Sequence, residues 1–234
     1  MDRRAFVRSC SIGAGLLAGG ALSLPATAAL QKYGRVRLLD SQGEPLKAAT
    51  LVAGEQYVFN YPFPATPCFL INLGRPVEGR KTLKTVNGGR YDWPGGVGPQ
   101  RSLVAYSAIC AHKMTHPTPA ITHISFRPAR TDAEPASGVI SCCSENSRYD
   151  PATGAAVLDG PADQPLAAII LEHDRPSDGL YAVGTLGGEM FQRFFKTFGA
   201  RLSLQYPNGN ATRPLTGEAR VQRLEDFCGN VVTC

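Results

Sequence analysis

From Gly34 onward, glycine and proline cut the chain into short apolar, β-branched and aromatic runs, and that punctuation constrains the fold more than any other feature. Val36 to Leu39, Gln56 to Asn60, Cys68 to Leu73, Leu103 to Ile109, Gly138 to Ser141, Ala156 to Asp159, Leu166 to Glu172 and Leu180 to Val183 each read as a strand. Runs of that length and spacing predict an all-β protein, an antiparallel sandwich or barrel. The 25 glycines and 18 prolines among 234 residues weigh against a helical bundle. At 43% hydrophobic residues the chain buries a real core, and its length permits one large domain or a smaller one with an extension. Between Asn60 and Pro67, Pro62 and Pro64 predict a rigid, extended connection, because each proline fixes its own φ and turns its predecessor away from helix. After Gly188 the pattern changes. Met190, Phe191, Phe194, Phe195 and Phe198 recur at helical spacing, predicting a helix that packs an aromatic face on the strands and stops at Gly199. From Tyr206 the tail reads as polar loop with a short helix across Glu218 to Phe227.

The first 29 residues read as an address. A basic start, a short apolar stretch from Ser11 to Leu24 and the small-residue site Ala26-Thr27-Ala28 are the three parts of an export signal. Arg3 and Arg4 followed by Ala5-Phe6-Val7 resemble the twin-arginine form, which carries proteins already folded. The expected location is periplasmic, with membrane contact only if the signal is retained as a tether. The net charge of +5 owes much to this segment: without Arg3, Arg4, Arg8 and Asp2, the 24 basic and 19 acidic residues become 21 and 18. A nearly neutral body with no polybasic run excludes a nucleic-acid-binding arm. Of seven cysteines, Cys10 falls in the signal and six travel with the body, where an oxidising compartment permits disulfides. A Cys228–Cys234 bridge would pin the C-terminus. Cys68, inside Cys68-Phe69-Leu70-Ile71, reads as a buried thiol, and Trp93 as a core or loop anchor.

The chemistry lies between residues 110 and 150. Cys110-Ala111-His112 follows one strand and Cys142-Cys143-Ser144-Glu145 follows another. A Cys-x-His pair puts a thiolate and an imidazole on one loop, and a second loop facing it can complete the four-coordinate shell that zinc or iron takes. Cys110, His112 and Cys142 are therefore first candidates for a metal or iron-sulfur site. Among the remaining histidines only His116 is close in sequence to a ligand loop; His123 and His173 lie in β-like runs and read as structural or exposed.

Leu103 through His112 resembles the first ligand loop of Rieske iron-sulfur proteins, and Cys142-Cys143-Ser144-Glu145-Asn146-Ser147-Arg148-Tyr149-Asp150 the second. The resemblance implies a Rieske-type antiparallel β-sandwich with a small cluster-binding subdomain and a short helical or irregular C-terminal extension. It implies a 2Fe-2S cluster in which two thiolates hold one iron and two imidazoles the other. Cys110, His112 and Cys142 fill three ligand places, and the fourth, normally histidine, falls on Glu145. Ser147 and Tyr149 stand where the family donates hydrogen bonds to a cluster sulfur and a ligand cysteine. Gly160-Pro161 matches the loop that shields the cluster. Thr115 and Ser144 take the places of the cysteines that bridge the two loops in quinol-oxidising members.

Within the family, Tyr57 through Gly74 resembles the early strands of the small subunits of arsenite-oxidase-type molybdoenzymes, a likeness spanning about residues 50 to 185. The expected organisation is an export signal over 1–29, a Rieske-like domain over 30–187 with ligand loops within 105–165, and an extension over 188–234. The prolines between the loops, Pro117, Pro119, Pro128 and Pro135, mark an insertion able to reshape the face around the site. Three functions fit. The favoured one is a periplasmic electron-transfer subunit passing electrons between a catalytic partner, a molybdoenzyme large subunit or a cytochrome, and a carrier. The others are a Rieske-fold binding or assembly subunit without a cluster, and a catalytic metalloprotein with a single ion and an open position.

Overall fold

A computed structural model describes residues 30–129 and 138–234; the expected export signal, Cys10 and Pro135 lie outside the described residues. Fourteen described strands form three sheets: β1 (Gln31–Leu39), β2 (Gln56–Asn60), β3 (Pro67–Asn72), β4 (Glu78–Lys84), β5 (Arg90–Gly95), β6 (Leu103–Ser107), β7 (Ile124–Arg127), β8 (Val139–Cys142), β9 (Ser147–Asp150), β10 (Ala156–Asp159), β11 (Ala168–Asp174), β12 (Gly179–Leu186), β13 (Gly217–Arg220) and β14 (Gln222–Arg223). The largest sheet runs β13-β1-β12-β11-β6-β3-β2-β14, the second β10-β9-β8-β7, and β4 and β5 make a hairpin. All pairings are antiparallel except β1 with β13. The architecture is the expected all-β one, and all eight runs read from the sequence are strands.

β13 and β14 lie at opposite edges of the large sheet, yet only the buried Val221 separates them in the chain. The sheet therefore curls until its edges meet. One core lies within the curl, where Val36, Leu38, Phe59, Leu70 and Ala182 meet α1 (Met190–Gln205) through Met190, Phe191 and Phe194. A second core lies on the other face, where Phe69, Ile71, Val104 and Tyr106 meet Trp93 of the hairpin and Ile124, Ile140 and Tyr149 of the second sheet. β3 and β6 face both cores, which is why they read as unbroken apolar runs.

Two polar fasteners seat the second sheet on the first. The Gln56 side chain donates to Phe126 O (3.1 Å) and accepts from Phe126 N (2.7 Å). The buried Tyr106 hydroxyl donates to Pro151 O at 2.6 Å. Cys68 is a buried free thiol and Trp93 a buried anchor beside Tyr106, as read from the sequence.

Several expectations are corrected. Asn60 to Pro67 is a hairpin turn: β2 and β3 pair up to Asn60 opposite Pro67. Tyr61 N donates to Thr66 O (3.0 Å), and the Thr66 hydroxyl donates to Tyr61 O (2.9 Å), closing a turn that the prolines alone did not reveal. The Tyr61–Pro62 peptide is cis. Helix α1 continues through Gly199, whose missing side chain faces open space, to Gln205. The segment expected to be helical from Glu218 supplies β13 and β14, and only α2 (Leu224–Phe227) is helical.

The expected Cys228–Cys234 bridge is absent, and Cys143 pairs with Cys234 across 91 residues, with Cα atoms 5.5 Å apart. Cys228 is a free, buried thiol that donates to Thr118 O at 2.9 Å. The tail runs alongside Thr122, which accepts from Val232 N and donates its own N–H to Asn230 O, both at 2.9 Å, and that path carries Cys234 to the second ligand loop.

A closed loop of this length predicts that Cys143→Ser lowers stability by about 4 kcal/mol in urea without reductant. Cys228→Ser is expected to cost about 1 kcal/mol. A Cys228–Cys234 peptide in a non-reduced digest, with equal losses for the two variants, would overturn the pairing.

Candidate metal centre

The first loop leaves β6 and closes on itself: Cys110 N donates to Thr115 O (2.8 Å) and Met114 N to Cys110 O (3.0 Å), with Met114 in the left-handed region. This tight turn buries the Cys110 sulfur and brings His112 round on the same side. The second loop is the β8–β9 turn, where Cys142 pairs opposite Ser147 and Asn146 takes a positive φ. Cys143 N donates to His123 O at 2.6 Å, holding this loop to the residue just ahead of β7. Gly160, also at positive φ, lies so close that a Cβ would collide with Asn146 O and Ser147 Cα. The Gly160-Pro161 segment thus lies directly on the second loop.

The loops face each other with their donors in two pairs. Inside, the free, buried Cys110 and Cys142 thiols are within hydrogen-bonding contact. Outside, His112 Nδ1 is 3.9 Å from Glu145 Oε2, and Nδ1 is buried without a hydrogen-bond partner among the described residues. Among the described residues no three or more His, Cys, Asp or Glu side chains group around a single ion. At the places of the family's bridging cysteines, the Thr115 hydroxyl donates to Ser144 Oγ at 3.4 Å.

Tyr149 reaches in from β9. Its hydroxyl accepts from Ala111 N at 3.2 Å, leaving its own proton for Cys110 Sγ at 3.3 Å. The Cys110 thiol is lowered to about 6, first by the hydrogen bond from Cys142, then, against its burial, by Tyr149 and the backbone N–H groups of His112 and Lys113. Cys142 is pushed up, chiefly by donating to Cys110, while Ser144 and Glu145 N–H groups pull the other way. Ser147 presents a buried hydroxyl with no partner among the described residues. Lys113 Nζ contacts Glu145 Oε1, and this hydrogen bond holds the carboxyl below the ordinary carboxylate range.

The six residues singled out from the sequence, Cys110, His112, Cys142, Glu145, Ser147 and Tyr149, thus lie on two facing loops and the first turns of β9. His116 turns away: Nδ1 meets Met114 O at 2.9 Å and the ring packs edge-on against Phe194 and Phe198. Burial lowers its pKa. His173 pairs with Asp178 at 2.7 Å at the β11–β12 turn. Two residues at the site escaped the sequence reading. Lys113 carried a signal in its place directly after His112; Arg193, a cation within an aromatic helical stripe, carried none.

Fold and site together resemble those of Rieske-type proteins. Over 197 residues, 80% of the chain and 82% of the relative, it is 29% identical to iodate reductase subunit IdrB of Denitromonas iodatirespirans. The crystal structure of the soluble domain of Rieske protein II (soxF) from Sulfolobus acidocaldarius aligns at 25% identity with a TM-score of 0.44, covering 65% of this chain and 78% of that one. No protein-family profile matches the chain.

In metal-free protein the folded Cys110 value lies below its ordinary 9.0, so this ionisation stabilises the fold above pH 9 and the contribution fades as pH falls through about 6. Tyr149→Phe removes a donor to the thiolate and is expected to move the titration upward, lowering the ultraviolet thiolate absorbance at neutral pH. An unmoved titration would show that the tyrosine does not act on this sulfur.

Proposed function

We propose that the chain is the 2Fe-2S electron-transfer subunit of an exported oxidoreductase. The observation that carries this is the sorting of four donors into two pairs on facing loops, thiol with thiol and imidazole with carboxylate, the pairing that a two-iron cluster with two ligands on each iron would use. Two further features fit a cluster. Each cysteine sulfur is met by backbone N–H groups of its own loop. The orphaned hydroxyl of Ser147 has a proton to give and no protein acceptor among the described residues, as a sulfide-bearing group would require.

Cys110 and Cys142 would hold one iron, His112 and Glu145 the other, and the bound cluster supplies one-electron transfer. The protein's own residues set the conditions. Tyr149 donates to the Cys110 sulfur, which favours the reduced state. Gly160-Pro161 covers the second loop and limits water. Glu145 places a carboxylate where an imidazole is usual, which favours the oxidised state, and Lys113 offsets part of that charge. The half-exposed rim at His112 and Glu145 is the edge through which an electron would leave.

The twin-arginine-like start supports export of a folded protein to the periplasm, with residues 1–29 as signal, 30–187 as the cluster-bearing domain and 188–234 as an extension. The likeness to a subunit of iodate reductase supports a catalytic partner, and the arsenite-oxidase-type resemblance favours a molybdoenzyme large subunit over a cytochrome.

Iron and acid-labile sulfide analysis of protein made with its own signal, with low-temperature EPR after reduction, tests this reading. Two irons and two sulfides per chain are expected, with a spectrum that Glu145→His shifts to the usual Rieske form at a higher midpoint potential. A folded, colourless, iron-free protein would overturn it in favour of a binding subunit.

A further inference from the structure

Arg193 is the fourth residue of α1, the helix that begins just after Gly188. Its guanidinium leaves the aromatic stripe and turns toward the site. Nη2 donates to Ala111 O at 2.8 Å and to His112 O, while Nη1 stands 3.6 Å from the Asp163 carboxylate. Ala111 and His112 belong to the first ligand loop, and Asp163 lies three residues beyond Gly160, in the segment that covers the second. One planar cation therefore ties the two together, a geometry that a forked guanidinium satisfies and a single ammonium does not. One turn further along, His116 is packed against Phe194 and Phe198, so the same helix also holds the far end of the first loop.

We propose that Arg193 is the positioning residue for the outer half of the centre: it fixes the backbone from which the His112 imidazole projects and sets a guanidinium against the His112 carbonyl. Its electrostatic half rests on the cluster reading above; its mechanical half does not. The carbonyls of Ala111 and His112 are pulled toward α1, which orients the peptide on either side of His112 and restricts the imidazole to the face of Glu145. The guanidinium, partly offset by Asp163, lies against the first ligand loop, and a cation there favours the reduced state.

The test uses the full chain and two readouts, hydrogen exchange of the amides from Ala111 to His116 and the midpoint potential of the loaded protein followed by EPR. In Arg193→Met the amides are expected to exchange about tenfold faster, equivalent to about 1.4 kcal/mol, with the amides of β6 and β12 unmoved and the potential lower. Arg193→Lys keeps a cation but not the fork, so it should recover most of the potential and little of the protection. Unchanged exchange in both variants would overturn the proposal. Faster exchange with an unmoved potential would overturn it as well, leaving an ordinary structural clamp. Should the wild type prove iron-free, the electron-transfer reading fails on its own evidence, and exchange alone decides whether Arg193 positions the loop. Asp163→Ala, which removes one arm of the fork from the opposite side, gives the same exchange test if Arg193→Met does not fold.

Discussion

The buried Tyr149 hydroxyl accepts from Ala111 N and donates to Cys110 Sγ, and through those two bonds a strand of the small sheet grips a loop that grows out of the large one. The donors arrive from two loops on two sheets, and a site made of both halves exists only if the sheets keep a fixed separation. Tyr149 sets that separation at the sulfur itself. The Gln56 clasp on Phe126 and the Tyr106 bond to Pro151 set it further back, where one large sheet strand and one small sheet element share a core. Because these polar bonds are enclosed by apolar side chains, an unmade one leaves a buried group without a partner, so the docked arrangement has few near-degenerate alternatives.

In this chain the two ligand loops are not bridged to each other by a disulfide. A weak hydroxyl contact, Thr115 to Ser144, occupies the place of the family's bridge. Each loop is instead fastened to residues after Gly188. Cys143 joins the second loop to Cys234, while Arg193 and the His116–Phe194–Phe198 cluster join the first loop to α1. The same stretch supplies β13 and β14, which close the curl of the large sheet. A segment that reads as an appendage therefore works as the strap across the site and the seam of the barrel-like sheet.

How much of this was legible follows from the range of each interaction. β3 and β6, apolar on both faces, announced themselves as continuous runs, and the Cys-x-His and Cys-Cys-Ser-Glu loops were read from local spacing. β4, β5 and β9 were missed because their residues, such as Arg80, Lys81, Asp92 and Arg148, face solvent on one side and break the apolar count. Gly199 misled because a helix on the surface tolerates glycine where nothing packs against it. The disulfide partner of Cys143 and the reach of Arg193 depend on contacts across about 80 to 90 residues, which no local pattern encodes.

Charge supplies the remaining link between these features. Glu145 places a negative charge, where resembling proteins carry a neutral imidazole, in a site that already gathers the Cys110 and Cys142 sulfurs, and the low exposure of that inner pair makes charge repulsion strong. Two cations reach this loop. Lys113, one residue after His112, meets the carboxylate directly, and Arg193 bonds the Ala111 and His112 carbonyls while pairing with Asp163. The first is exposed and screened by salt; the second is held by two carbonyls and a carboxylate. The helix that straps the first loop thus also brings a cation to it. In the proposed cluster-bearing protein, position and potential are then not separable: a change that loosens α1 from the loop also withdraws the guanidinium from the His112 carbonyl.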